Sequence, residues 1–166
     1  MEKLQWVKEI FGTKLEIFRK NEVIGTIQWG NMLSSKAQAT INGRLFTLTR
    51  EFFTSKIEIY DTKHQLLLGT IMVNLFNPRT DLVINGKRFE LEIKNFWQSR
   101  WSWKFNGTEI ITYTANEFII KEKGEIELFT TCNEEVEILL LLGLFVRNQF
   151  VLVILFLLIL FLIVIL

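Results

Sequence analysis

Residues 133–166 read NEEVEILLLLGLFVRNQFVLVILFLLILFLIVIL, and this stretch decides how the rest of the chain can fold. Residues 138–146 are apolar throughout, and residues 150–166 contain no polar side chain. A helix that is apolar on every side is enclosed either by protein or by lipid. As one span, residues 138–166 would measure about 43 Å at a rise of ~1.5 Å per residue. A bilayer core is only about 30 Å thick, and such a span would also place Arg147 in the hydrocarbon.

A division at Arg147-Asn148-Gln149 resolves both difficulties. We therefore predict a buried helix over residues 134–147 and a transmembrane or anchor segment over residues 150–166, with Arg147 flanking the membrane interface. Thr131 or Asn133 caps the buried helix, whose acidic first turn suits the helix dipole. The helix residues predicted to fill the domain interior are Ile138, Leu139, Leu142 and Phe145. The residues predicted to anchor the chain are Phe150, Val151, Leu155, Leu160 and Leu166.

The chain before this stretch repeats itself with a period of about 43 residues. Residues 14–18 match 56–60, residues 24–27 match 68–71, and residues 41–48 match 84–91. A third, more divergent copy begins at Arg100 and continues through residues 117–120 to Leu128. Apolar and polar residues alternate within each copy, which is typical of strands in a sheet with one buried face. Each copy is therefore predicted to form four short strands.

Asn-Gly pairs mark hairpins in these copies, because both central residues of a type I′ turn need positive φ. The pairs are Asn42-Gly43, Asn85-Gly86 and Asn106-Gly107, and Lys123-Gly124 is predicted to be a further turn in the third copy. Three copies of four strands give a mainly β chain with twelve antiparallel strands. Such a sheet removes its edges by closing, and a barrel of this size is too wide for strand side chains alone to fill. We predict a closed barrel over residues 14–149 around the hydrophobic C-terminal helix, preceded by a lead-in over residues 1–13 and extended by the apolar tail.

This layout resembles the tubby C-terminal-like superfamily, which includes tubby proteins, phospholipid scramblases and the LURP-one-related proteins. The resemblance covers residues 14–146 and is carried by the Gly-Thr-Ile strands at Gly25 and Gly69, the Ile-Asn-Gly hairpins, the Trp-Ser-Trp strand at 101–103 and the apolar helix. It implies a twelve-stranded barrel around a central helix, in a protein that works at a membrane. The sequence departs from the scramblase pattern because it lacks clustered Asp residues for a calcium loop. No basic phosphoinositide motif matches either, and the tail extends beyond the helix of the family.

Composition and motifs exclude several classes of function. The net charge of +1 argues against a dedicated nucleic-acid-binding protein. The single Cys132 and the single His64 exclude an internal disulfide framework and a cluster of Cys or His metal ligands. The sequence contains no phosphate-binding Gly-rich loop, no nucleophile elbow and no His-Glu-x-x-His motif. We therefore predict no enzymatic activity, no cofactor and no metal site.

Two functions are compatible with this pattern. The first is a non-enzymatic, membrane-anchored barrel protein with the barrel on the cytoplasmic side and membrane lipids as partners. Phospholipid headgroups would then contact Arg44, Lys87 and Arg88, which follow the Asn-Gly turns. The alternative is a soluble protein-interaction module whose apolar tail is buried by a partner or by self-association. A third reading, an enzyme or lipid-transfer protein that uses the barrel lumen, requires the lumen to be empty.

Overall fold

The computed structural model describes residues 1–9, 12–51, 55–73, 79–95, 99–116 and 121–165. The described chain forms twelve strands followed by one long helix. In chain order these are β1 Glu2–Glu9, β2 Lys14–Arg19, β3 Glu22–Trp29, β4 Lys36–Ile41, β5 Arg44–Arg50, β6 Lys56–Asp61, β7 Leu66–Met72, β8 Arg79–Ile84, β9 Lys87–Ile93, β10 Arg100–Phe105, β11 Thr108–Asn116, β12 Lys121–Leu128 and α1 Glu134–Ile165.

The twelve strands form one antiparallel sheet that curls into a nearly closed barrel. The strand order is β7-β6-β5-β4-β3-β2-β1-β12-β11-β10-β9-β8, with each neighbouring pair joined by backbone hydrogen bonds. Side chains join the two ends of this order: the Thr80 hydroxyl on β8 donates to the Met72 carbonyl oxygen on β7 at 2.7 Å. Leu82 also packs over Gly69, where an added Cβ would lie 2.7 Å from Leu82 Cδ1. The prediction of a twelve-stranded antiparallel barrel around a central hydrophobic helix is confirmed.

The hairpins and the repeats follow the sequence pattern. Asn42, Asn85 and Asn106 have φ values of 47°, 51° and 51°, and the glycines after them have φ values of 75–80°. The predicted type I′ conformation of these three turns is confirmed. The strand register also shifts at equivalent places in the three copies, which lie after Ile17, Ile59 and Trp103. The three copies therefore share a local irregularity as well as a strand pattern.

The structure corrects two predictions, one about the N-terminal segment and one about a turn in the third copy. Residues 1–13 were predicted to be a lead-in, but β1 pairs with β12 along its whole length and with β2 on its other side. Lys123-Gly124 is also not a turn, because both residues lie inside β12. Gly124 is needed there because the Trp6 indole crosses it and donates to the Thr114 carbonyl oxygen at 3.1 Å. The strand predicted at residues 117–120 lies outside the described residues.

The core forms between the inward face of the sheet and α1. Alternate strand residues point inward, as Ile57 and Ile59 do, while Glu58 between them stays partly exposed. The predicted interior residues of the helix are all buried: Ile138, Leu139, Leu142 and Phe145. The Phe145 ring stacks on Trp29 with 6.2 Å between ring centroids. Helix and strands thus bury their apolar surfaces against each other, which neither could do alone.

The helix α1 continues without interruption past the point where the sequence suggested a division. It runs from Glu134 to Ile165, 32 residues, with the Asn133 side-chain oxygen accepting a hydrogen bond from the Val136 amide at 3.0 Å. Asn133, rather than Thr131, is therefore the residue that caps it. Burial in the barrel extends to Phe150, so the enclosed part of the helix ends later than the predicted boundary at residue 147.

Candidate functional site

The inner wall of the barrel holds α1 by hydrogen bonds to the helix backbone. Trp103 Nε1 and the Tyr113 hydroxyl both donate to the Leu139 carbonyl oxygen, at 2.9 Å and 2.8 Å. Gly143 makes room for this contact, because an added Cβ would lie 2.5 Å from the Tyr113 oxygen. Complete burial raises the pKa of Tyr113 well above its usual value, so the phenol stays a neutral donor. These hydrogen bonds therefore fix how far α1 extends into the barrel, which apolar packing alone would not do.

We call the end of the barrel where α1 begins the entry end. Here the acidic first turn of the helix is held by the two Asn-Gly hairpins. Arg44 contacts Glu134 at 2.5 Å and Glu137 at 3.5 Å, and the Asn42 side chain donates to Glu137 at 2.6 Å. In the equivalent hairpin, Lys87 contacts Glu135 at 2.9 Å. These contacts orient the start of the helix and place its acids next to cations.

This placement bears on the three residues predicted to contact headgroups. Arg44 and Lys87 pair with the helix, and Arg88 pairs with Asp81 beside them. The sixteen-residue rise from Glu134 to Phe150 is about 24 Å at ~1.5 Å per residue. All three cations therefore lie at the end of the barrel away from the apolar tail, and their contact with headgroups remains a prediction.

We call the opposite end, where α1 leaves the barrel after Phe150, the exit end. Arg147 lies here, 4% exposed, with Nη1 2.8 Å from the Glu122 carboxylate. Its guanidinium carbon is 5.3 Å from the centroid of Trp6 and 5.5 Å from that of Trp101. The carboxylate and the two aromatic faces compensate the buried charge. Arg147 was predicted to flank the membrane interface, but its side chain is turned into the barrel.

Further polar groups surround Arg147 and form a layer across the exit end. Lys8 is 7% exposed and lies 5.6 Å from the centroid of Trp29, and burial lowers the pKa of its ammonium group. Burial likewise lowers the pKa of Arg50, which donates to the Gln149 carbonyl oxygen at 3.4 Å. Asn148 and Gln149 are buried in the same layer. This layer separates the apolar core below it from the apolar tail above it.

A small recess opens beside this layer. Arg50, Val73, Gln149 and Phe150 line it, and its volume is about 10 Å³, which is room for about one water molecule. That volume is below the ~300–1,000 Å³ of most small-molecule sites. The buried part of α1 occupies the interior of the barrel, whereas the alternative of an enzyme or carrier requires an empty lumen. Across the described ranges, no three His, Cys, Asp or Glu side chains are grouped to hold a metal ion.

Beyond the exit end, α1 continues as an exposed apolar rod. Residues 151–154 are half-buried, and residues 155–165 are exposed, from 43% at Leu160 to 84% at Val164. By length and composition α1 is able to cross a membrane. Of the predicted anchor residues, Leu155 and Leu160 lie on the rod, Val151 lies at its base, Phe150 is buried in the barrel, and Leu166 lies outside the described residues.

Sequence reasoning missed the residues that make Arg147 tolerable inside the barrel. Trp6 and Lys8 belong to β1, and Glu122 belongs to β12. The alternation of Leu4, Trp6 and Lys8 is the one local signal that could have identified β1 as a strand. A comparison with protein-family models, with curated proteins and with solved structures finds no match to this chain.

Proposed function

We propose that this chain is a non-enzymatic barrel protein anchored in a membrane by the end of α1, with the barrel on the cytoplasmic side. The observation that carries the proposal is the rod of residues 155–165, which are all large and apolar and all exposed. Soluble monomers rarely expose a continuous apolar patch of more than a few hundred Å². Hydrocarbon is the environment in which such a rod is stable.

The position of Arg147 supports this proposal. Its charge is enclosed in the barrel with Glu122, so no charged side chain of the described helix needs to enter the hydrocarbon. Residues 151–165 would extend about 22 Å at ~1.5 Å per residue, which is most of the ~30 Å thickness of a bilayer core. The part of α1 beyond the last buried side chain therefore begins at residue 151, and its fully exposed part, the rod, begins at Leu155.

Kinship with the tubby-like proteins is a second part of the proposal. A twelve-stranded barrel with a central C-terminal helix is the architecture that the sequence resemblance implies, and this agreement supports it. In this proposal the barrel lies beside the membrane with α1 in its interior. The long apolar tail extends beyond the helix of the tubby-like family.

Alkaline carbonate extraction of membranes tests the anchor. The full chain is expected in the membrane pellet, and Leu158→Arg/Leu162→Arg is expected in the supernatant. Each Arg near the bilayer centre costs at least about 2.5 kcal/mol of insertion free energy. The matched control is Leu66→Arg/Leu67→Arg, which adds the same charges to exposed leucines at the entry end and should leave the chain in the pellet.

The alternative function predicts a different result. A soluble interaction module would bury the rod against a partner or a second copy of itself. The wild-type chain would then appear in the carbonate supernatant, and size-exclusion chromatography without detergent would show a defined complex. That outcome would overturn the membrane anchor.

A further inference from the structure

The junction between barrel and tail contains no linker. Phe150 is the last buried residue and Leu155 is the first exposed one, so the rod begins about 7.5 Å beyond the barrel at ~1.5 Å per residue. The headgroup region on each side of a bilayer is also only several Å thick. If the rod is in hydrocarbon, the exit end of the barrel must therefore lie within the headgroup layer.

The strand ends at the exit end carry an unusual set of charges. All neighbouring strands are antiparallel, so every even-numbered strand begins at this end. Each of these strands begins with Lys or Arg, and we call the five whose side chains the structure describes the basic collar: Lys14, Lys36, Lys56, Arg79 and Arg100. Because the six strands alternate around the barrel, the basic collar encircles the base of the tail.

The entry end has no such pattern. The odd-numbered strands begin there with two acids, two cations and two uncharged residues, namely Glu2, Glu22, Arg44, Leu66, Lys87 and Thr108. The three acids of the first helical turn add further negative charge. The barrel is thus charged asymmetrically along its axis, with its cation-rich end towards the tail.

The accessibility of the basic collar fits an external anionic ligand. Lys36 and Arg100 are exposed, lie on opposite sides of the barrel, and have no carboxylate within 4 Å in the part of the chain that the structure describes. Arg79 pairs with Glu92 but keeps 62% of its side chain exposed. Leu33 and Met72, 74% and 56% exposed, add apolar side chains at the same end. Cations mixed with exposed apolar groups are typical of surfaces that lie in a membrane interface.

We propose that the basic collar docks the exit end onto the surface of an anionic bilayer, where its Lys and Arg side chains contact lipid headgroups. This inference rests on the proposed membrane anchor and assigns the lipid class and the contact surface to it. The collar holds the barrel upright against the bilayer, and the tail alone would leave it free to tilt.

The test measures insertion and docking separately on the full chain. A headgroup-attached quencher is placed in vesicles of phosphatidylcholine alone or with about 30% phosphatidylserine. An environment-sensitive fluorophore is attached to Ser35→Cys at the exit end or to His64→Cys at the entry end, each in a Cys132→Ser background. We expect the Ser35→Cys probe to be quenched at least about twofold more in anionic than in neutral vesicles. The His64→Cys probe should show no such difference.

Charge reversal then identifies the residues responsible. Lys36→Glu/Arg100→Glu is expected to abolish the extra quenching in anionic vesicles, and raised salt should weaken it in the wild type. The matched control is Lys20→Glu/Lys63→Glu, which reverses two exposed cations in turns at the entry end. It should leave the extra quenching in anionic vesicles unchanged.

The possible failures can be told apart. Loss of the wild-type chain from the carbonate-washed vesicles would overturn the membrane anchor itself. Retention in the washed vesicles with equal quenching in both lipid mixtures would overturn the collar alone. An equal loss of quenching in both charge-reversal variants would also contradict the collar proposal. If the chain bound RNA, another polyanion, but showed no quenching in vesicles, the lipid would be the wrong ligand.

Discussion

The two ends of the barrel bind the same helix in different ways. At the entry end, hairpin cations that stay partly exposed pair with the acids of the first turn of α1: Arg44 keeps 32% and Lys87 keeps 51% of its side chain accessible. At the exit end, the cation Arg147 is only 4% exposed, lies beside the Trp6 and Trp101 rings, and pairs with a carboxylate that is 13% exposed. The entry end therefore fixes the orientation of the helix through cations that remain in contact with solvent, whereas the exit end encloses its paired cation inside the barrel. This difference supports the proposal that the exit end is the one that faces a bilayer.

The largest effect should come from removing the buried cation. Arg147→Ala leaves Glu122 without this partner and removes the group that packs against Trp6 and Trp101, which should cost about 3–5 kcal/mol in the free energy of unfolding. Arg44→Ala, the equivalent change at the entry end, should cost only about 1 kcal/mol because Arg44 keeps 32% and its partner Glu134 keeps 60% of the side chain exposed. Thermal unfolding in detergent measures both, and equal costs would remove the distinction between the two ends.

A smaller effect should come from adding one methyl group. In Gly124→Ala the new Cβ would overlap the Thr114 carbonyl oxygen and lie 2.6 Å from Trp6 Nε1, so β12 must shift. We expect a cost of about 3 kcal/mol. Gly43→Ala has open space around the new Cβ and should cost only about 1 kcal/mol, from its positive φ. Chemical denaturation in detergent compares the two, and a small cost for Gly124→Ala would mean that Trp6 is loosely held.

The smallest effect should appear as a dependence on pH. Hydrogen bonds from Lys104 and Lys94 lower the pKa of Glu92, near the exit end, from 4.5 to about 2. A lowered pKa stabilises the fold above the unfolded value, so this contribution should disappear as the pH falls from about 4.5 to about 2. We expect a loss of about 2 kcal/mol, after allowing for solvent screening. Glu92→Gln should be less stable than the wild type at neutral pH and should lose less free energy of unfolding on acidification. If the variant lost as much stability in acid as the wild type, Glu92 would not be the group responsible.

The sequence predicts the local features well and the long-range ones poorly. Strand alternation and Asn-Gly turns are decided by neighbouring residues, so most of the strands and the three hairpins could be recognised. The apolar helix could be assigned to the barrel because nothing else in the chain would cover the sheet. By contrast, β1 was missed because its partner β12 lies more than a hundred residues away. Gly124 was misread because a glycine in a turn and a glycine beneath Trp6 look the same in sequence.

The candidate site shows the same limit. The environment of Arg147 depends on Trp6, Trp101 and Glu122, which come from three separate strands. The basic collar becomes visible only when strand direction is known, because its members are spaced unevenly along the chain. The Asn-Gly motifs instead directed the headgroup prediction to Arg44 and Lys87, which are as basic as the collar residues but lie at the entry end.

The pairing of β1 with β12 also constrains the order in which the protein can be made. The ribosome produces β1 before all other strands, yet its partner follows ten intervening strands, and α1 follows all twelve. Until α1 has been synthesised, the inward faces of the strands have no helix to cover them, and long-range pairing of this kind is slow. The nascent barrel thus presents a large apolar surface that a chaperone can recognise. Closure of the barrel around α1 is then a late event in the folding of this chain.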